Sequence, residues 1–195
     1  DYVAARGQLK FEKMKFGVLH TYVDRSSLLR KSNVTAADVD LDMSDDFRLS
    51  GMYIYSVIDQ EGSAEKITDD GWWLTAKYQP LDIWSHALTI FEYGDQLDVS
   101  DFGFVKRVNR KQYEYETTYE WPDIQGNVIR DVELTFEAEV KDNKQNHNLP
   151  TQVGGAIETV FVTTSALTFE WEHQTSGIDD LLTRGNNPVE LDRFS

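Results

Sequence analysis

Asp131-Val132-Glu133-Leu134-Thr135-Phe136-Glu137-Ala138-Glu139-Val140 alternates without a break, with polar residues at odd positions and apolar ones at even positions. Successive side chains of a β-strand point to opposite faces, so this run has one acidic face and one apolar face. The same period recurs outward from it in both directions. Val39, Leu41 and Met43 alternate with Asp38, Asp40 and Asp42. Tyr113, Tyr115, Thr117, Tyr119 and Trp121 alternate with Gln112, Glu114, Glu116, Thr118 and Glu120. Leu167, Phe169 and Trp171 alternate with Thr168, Glu170 and Glu172. No segment sustains the 3.6-residue period of an amphipathic helix. The chain reads as all-β.

About ten strands are expected, at 2–12, 16–24, 34–43, 47–58, 70–79, 85–95, 110–121, 127–141, 152–162 and 165–174. Short connections at 13–15, 44–46, 80–84, 122–126 and 163–164 alternate strictly with longer polar ones. The long ones fall at 25–33, 60–69, 96–109 and 142–151 and in the tail after Gln174. Such a chain is an antiparallel up-and-down meander. No linker or second domain interrupts it, so residues 1–195 read as a single β-barrel segment.

Composition narrows the classes of function. The 195 residues carry 34 acidic against 19 basic side chains, a net charge of −15, which argues against nucleic acid or an anionic surface as the main partner. Without cysteine there is no disulfide scaffold, no thiolate zinc site and no cysteine nucleophile. No apolar run approaches the 18 or so residues of a membrane helix, which excludes helical membrane proteins but not β-barrels. The first residue is Asp1 rather than Met, so a processed or excised piece is expected. Aromatic residues make up 12%, unlike a disordered acidic chain.

Alternation alone does not say which face is inside. A soluble barrel or sandwich, acting as a ligand-binding module, buries the apolar face around a small ligand, whereas a membrane barrel turns it to lipid and lines its lumen with the acids. Strands of roughly ten residues exceed the globular mode of about five to six and favour the membrane. So do the uniformly tight turns on one side. Trp72, Trp84, Trp121, Trp171, Tyr55 and Tyr78, expected near strand ends, would form interfacial girdles. On that reading Asp38, Asp40, Asp42, Glu114, Glu116, Asp131, Glu133, Glu137 and Glu139 face the lumen. Val39, Leu41, Tyr113, Tyr115, Val132, Leu134, Phe136, Phe169 and Trp171 then face lipid.

Asp101-Phe102-Gly103-Phe104-Val105-Lys106-Arg107 follows the strand ending Phe91-Glu92-Tyr93, and Asp179-Asp180-Leu181-Leu182-Thr183-Arg184-Gly185 stands near the C-terminus. With Val39-Asp40-Leu41 running into Phe47-Arg48-Leu49-Ser50-Gly51, these resemble a family of bacterial outer-membrane barrels of unknown function. Its full-length members carry an N-terminal carbohydrate-binding-like module of the family-nine type. The resemblance covers roughly Tyr2 to Pro188, and its motif loops contribute Asp101, Gly103, Phe104, Arg107, Thr183, Arg184 and Gly185. It implies a transmembrane barrel in the bacterial outer membrane that anchors, or forms a pore for, a carbohydrate-linked surface protein. The N-terminal module is absent here, as is a last strand ending in an aromatic residue, so a middle piece of a larger barrel is expected. The implied partners are outer-membrane lipid, a glycan or small solute, and further chains of a surface complex.

Candidate chemistry is sparse. The acidic rows can serve as a cation-favouring wall, as paired carboxylates or as a plain solvated face, and nothing pairs one acid with a group that would raise its pKa. Asp98, Asp101, Asp179 and Asp180 lie in long loops but lack the spacing of a calcium loop. His20, His86, His147 and His173 are scattered, and Ser26, Ser27 and Ser165 lack a nucleophile elbow. Asp101-Phe102-Gly103 matches a kinase magnesium triplet without any of its companions. No catalysis, cofactor or metal is expected. Trp72 and Trp73 must point to opposite faces, and an inward Trp73 can stack on a sugar ring. Arg107, Arg110, Arg184 and Lys106 are either partners for the acids or solubilising loop cations.

Overall fold

The computed structural model describes residues 1–101, 107–126, 128–145, 147–179 and 189–191. It is all-β. Ten strands form one sheet in chain order: β1 (Tyr2–Lys10), β2 (Met14–Arg25), β3 (Arg30–Asp42), β4 (Phe47–Gln60), β5 (Ile67–Leu81), β6 (Trp84–Tyr93), β7 (Arg110–Trp121), β8 (Ile129–Asp142), β9 (Gln152–Phe161) and β10 (Ala166–Gln174). The sheet is an antiparallel meander, with β1 and β10 as its ends. A small hairpin of β11 (Gly177–Asp179) and β12 (Val189–Leu191) follows. The ten strands of the main sheet run from 9 to 15 residues, long for a globular sheet.

The chain divides into two compact units: residues 1–75 with 90–111, and residues 76–89 with 112–195. In the first, β2, β3 and β4 set Gly17, Asp38 and Met52 side by side, and Phe16, Val39 and Gly51 likewise. Directly opposed residues share a face, so one face carries Asp38, Asp40, Asp42, Lys15 and Arg48 and the other Phe16, Val18, Val39, Leu41 and Tyr53. In the second unit, Leu134, Ile157 and Phe169 stand in one row and Phe136, Gly155 and Trp171 in the next. On its opposite face Glu133 meets Glu158, and Gly154 lies between Glu137 and Glu172.

Two expectations about connections are corrected. The long loop at 25–33 does not exist: β2 runs to Arg25, a short 3₁₀ turn covers Ser26–Leu28, and Leu29 takes a left-handed conformation (φ 50°) that lets β3 begin at Arg30. The polar run Arg30-Lys31-Ser32-Asn33 is strand, so the strict alternation of short and long connections fails there. The tail is not all loop either, since β11 and β12 pair within it.

Among the described residues, buried apolar ones are few. Val23, Ala36, Ile58, Phe91 and Leu97 are buried in the first unit and Leu149 in the second. Buried beside them are Thr21, Ser32, Ser56, Gln112 and Asn143.

The Gly155 row gives a test of packing. A Cβ there would lie 2.8 Å from Nε1 of Trp171 and 2.8 Å from the Thr135 carbonyl oxygen, whereas a Cβ at Gly7 would meet nothing within 4 Å. Gly155→Val should therefore cost about 1–3 kcal/mol by overpacking, and Gly7→Ala should be neutral or stabilising by up to about 1 kcal/mol. Denaturant unfolding of the two variants should separate them, and equal midpoints would refute this packing.

Candidate functional site

Three features are candidates: the acidic row of the first unit, the acidic face of the second, and residues 94–101. In the first unit the Asp row is matched by cations from neighbouring strands. Register puts Lys15 of β2 opposite Asp40 and Arg48 of β4 opposite Asp42. Arg6 reaches Asp38 at 3.3 Å, Lys15 reaches Asp40 at 3.5 Å, and Arg48 binds Asp40 while lying 3.7 Å from Asp42. Ser50 donates a further hydrogen bond to Asp40 at 3.0 Å. This row is an ion-paired network rather than a bare acidic wall.

The second unit differs. Glu114, Glu116, Asp131, Glu133, Glu137 and Glu139 share one face with Glu158, Glu170 and Glu172. The sharing follows from the register of β8, β9 and β10, from the Thr118–Thr135 contact and from Gln112. The buried Gln112 amide donates to both Glu114 and Glu139, tying β7 to β8. Lys141 pairs with Glu139, and Arg130 with Asp131 at 2.6 Å. Like charges set directly opposite one another destabilise a sheet, and Glu133 faces Glu158 in this way. Gly154 stands between Glu137 and Glu172, and Ala156 between Thr135 and Glu170, so the remaining acids of β8 and β10 are spaced apart. Glu114, Glu116, Glu137 and Glu139 line a cleft of about 230 Å³ together with Thr89 and Gln152. A cleft lined with one sign of charge concentrates cations and repels anions.

The apolar faces hold Val39, Leu41, Tyr113, Tyr115, Val132, Leu134, Phe136, Phe169 and Trp171, opposite to the acids in each strand. Tyr113, Tyr115, Phe136, Phe169 and Trp171 are exposed there. An aromatic cluster gathers on this side of the second unit. His86 lies between Tyr78 and Tyr115 with centroids 6.1 and 6.2 Å away, Trp84 packs on His86, and Tyr119 joins Trp84 to Trp121. His86 Nδ1 and the Tyr115 hydroxyl are 2.9 Å apart, and Trp84 donates to Thr117. Trp84 and Trp121 do end strands, as expected. Tyr78 and Trp171 lie three residues from the ends of β5 and β10, whereas Trp72 and Tyr55 lie further in, because β4 and β5 extend further than their apolar patterning suggests.

Residues 94–101 were not read as a unit from sequence, and they carry the most specific contacts in the first unit. Arg30 donates to Asp98 at 2.8 Å and to Asp101 at 3.2 Å, and Arg25 reaches the other oxygen of Asp101 at 2.8 Å. Asp101, one of the motif residues, has a carboxylate only 3% exposed. The Asp98 amide donates to Ser56 and the Gln96 amide to Asp69. Burial works against the charge of Asp98, but hydrogen bonds from Ser100 and then Arg30 outweigh it and hold the carboxyl below the usual carboxylate range. Arg110 sits 4.6 Å over the Phe91 ring, and Arg107 is half-buried. Gly103, Phe104, Thr183, Arg184, Gly185, Lys106 and Asp180 lie outside the described residues, as does the side chain of Asp179. Among the described residues no group of three or more His, Asp or Glu could hold a metal ion.

The class that emerges is an antiparallel ten-stranded β-meander with an acidic or ion-paired face and an exposed apolar one. The chain belongs to the family described as Domain of unknown function (DUF5916), whose model matches residues 12–183. No curated protein and no solved structure matches it.

The depressed pKa of Asp98 has a pH signature. A carboxyl whose folded pKa lies below its unfolded one contributes stability above the unfolded value, and that contribution is lost as pH falls through the folded value. Protection of the Gln96 and Asp98 amides from hydrogen exchange should thus hold above the ordinary carboxylate pKa of about 4 and decline below it. Asp98→Asn should lower protection at neutral pH and flatten the acid-side decline. An unchanged profile in that variant would contradict the assignment.

Proposed function

We propose that this chain is a segment of an outer-membrane β-barrel that anchors, or forms a passage for, a carbohydrate-linked protein of the bacterial cell surface. One observation carries the reading: large apolar side chains are exposed on one face of the sheet while polar side chains are among the buried ones. Ser56, Ser32, Thr21 and Gln112 are buried, Ser56 completely, while Val18 is 54% exposed and Leu167 and Phe169 are each 63% exposed. Water-soluble monomers rarely leave extended apolar patches uncovered, and lipid covers such a face without cost. The strand lengths agree, since a tilted strand of about 9–11 residues crosses the hydrocarbon core. The aromatic cluster around Trp84, Tyr119 and Trp121 suits the boundary between lipid and water, where amphipathic rings settle. Among the described residues no helix is long and apolar enough to cross a membrane, which says nothing of a β-barrel.

The acidic face of the second unit then borders water and favours cationic over anionic solutes. The carbohydrate link rests on the family resemblance, in which sugar binding belongs to the N-terminal module. The same sheet also suits a soluble β module whose apolar face is covered by other protein, and that reading predicts different behaviour.

Outer-membrane fractionation of the full-length protein, with gel migration before and after boiling, distinguishes the two. The barrel reading predicts enrichment in that membrane and a heat-dependent shift. It also predicts that Leu134→Arg or Phe136→Arg costs about 2–4 kcal/mol near the bilayer midplane while Glu133→Gln and Glu137→Gln are tolerated. A protein that stays soluble without detergent and shows no heat shift would refute the membrane reading in favour of the soluble module.

A further inference from the structure

Residues 94–101 do not project away from the first unit. They cross the polar face of its sheet and are tied to four strands in succession. Arg25 at the end of β2 binds Asp101, and Arg30 at the start of β3 binds Asp98 and Asp101. Ser56 of β4 accepts from the Asp98 amide at 3.2 Å, and Asp69 of β5 accepts from the Gln96 amide at 2.7 Å. Leu97, 4% exposed, fills the space beside Gly71 of β5, where a Cβ would come within 2.9 Å of it. The root of the segment is fixed by the Asn109 amide, which donates to the Gly94 carbonyl at 2.9 Å.

What lies on that face is unusual for a core. Thr21, Ser32 and Ser56 are buried hydroxyls, interspersed with Val23, Ala36 and Ile58. Registers place them together: Ser32 is opposite both Val23 and Ile58, and Val34 is opposite both Thr21 and Ser56. Each buried hydroxyl needs a partner away from water, and two find one on the backbone: Thr21 donates to the Val34 carbonyl and Ser56 to the Asp69 carbonyl, each at 3.4 Å. Leu97 is the one apolar side chain of the covering segment that is fully buried, Val99 is half-buried, and the other attachments described are ion pairs and single hydrogen bonds. Segments held this way open at lower free energy than packed strands do.

From this we infer that residues 94–101 are a strap, latched by Arg25 and Arg30, that closes the polar face of the first unit at the end carrying residues 26–29 and 61–66. Released, it uncovers a hydroxyl-bearing surface open to small polar solutes. In the barrel reading the strap regulates passage, and that consequence rests on that reading; the covering itself does not.

The test uses the full-length protein, which has no cysteine within residues 1–195 to interfere, with Ser32→Cys as a reporter and Thr21→Cys as a second should the first disturb folding. The probe is a small charged methanethiosulfonate reagent. With the latch intact labelling is slow. In Arg30→Ala, and more so with Arg25→Ala added, it rises by about tenfold or more, the scale of one lost charge-assisted hydrogen bond. Arg30→Lys restores part of the protection. Equal rates in latched and unlatched proteins, or rapid labelling with both arginines present, would overturn the strap. The heat shift is read on the same samples. A shift with latch-independent labelling overturns the strap alone, and latch-dependent labelling of a soluble, unshifted protein overturns the barrel alone.

Discussion

Every side chain in the sheet takes its side from the strand register, and a slip of one residue would exchange the two faces. Here a slip would carry two independent penalties. It would separate Asp40 and Asp42 from Lys15 and Arg48, and it would drive Trp171 away from Gly155, over which it packs. Glycines at close approaches give the same constraint a steric form. The Asp38 carboxylate lies where a Cβ of Gly17 would stand, and the Asp69 carboxylate occupies that position at Gly94. Register therefore decides both which groups meet water and which meet each other.

Charge is distributed unevenly as a result. Three basic side chains neutralise the Asp row in the first unit, so its field is short-ranged. Among the described residues of the second unit, Lys141 pairs with Glu139 and Arg130 with Asp131 on a face that also carries Glu116, Glu133, Glu137, Glu158, Glu170 and Glu172. Such a face costs stability through self-repulsion, which Gly154 and Ala156 reduce by spacing the rows. A protein keeps such a surface more readily where it borders water and mobile cations than where it must pack.

The strands were legible because apolar and acidic residues strictly alternate in them, as between Asp131 and Val140. Legibility failed where polarity stopped tracking structure. Arg30-Lys31-Ser32-Asn33 reads as loop because its side chains are polar on both faces, yet the strap's carboxylates hold Arg30 in a strand and Ser32 is buried opposite Ile58. The cation partners of Asp38, Asp40 and Asp42 were also out of reach, since pairing Arg6, Lys15 and Arg48 with them needs cross-strand register. Asp98 and Asp101 stood out as acids in a loop, but their arginine partners are distant in sequence and carry no local signal. The family motifs gave only a partial guide, because much of both falls outside the described residues.

The proposed barrel sets one face of this sheet against lipid and the other against water. The absence of cysteine in this chain permits single-cysteine scanning along β8, from position 131 to position 140, in the full-length protein presented to lipid bilayers. The account predicts a period of two: odd positions react with a water-soluble thiol reagent, while fluorophores at even positions are quenched by lipid-borne quenchers. Reaction of positions 132, 134 and 136 with the water-soluble reagent, without lipid quenching, would contradict it.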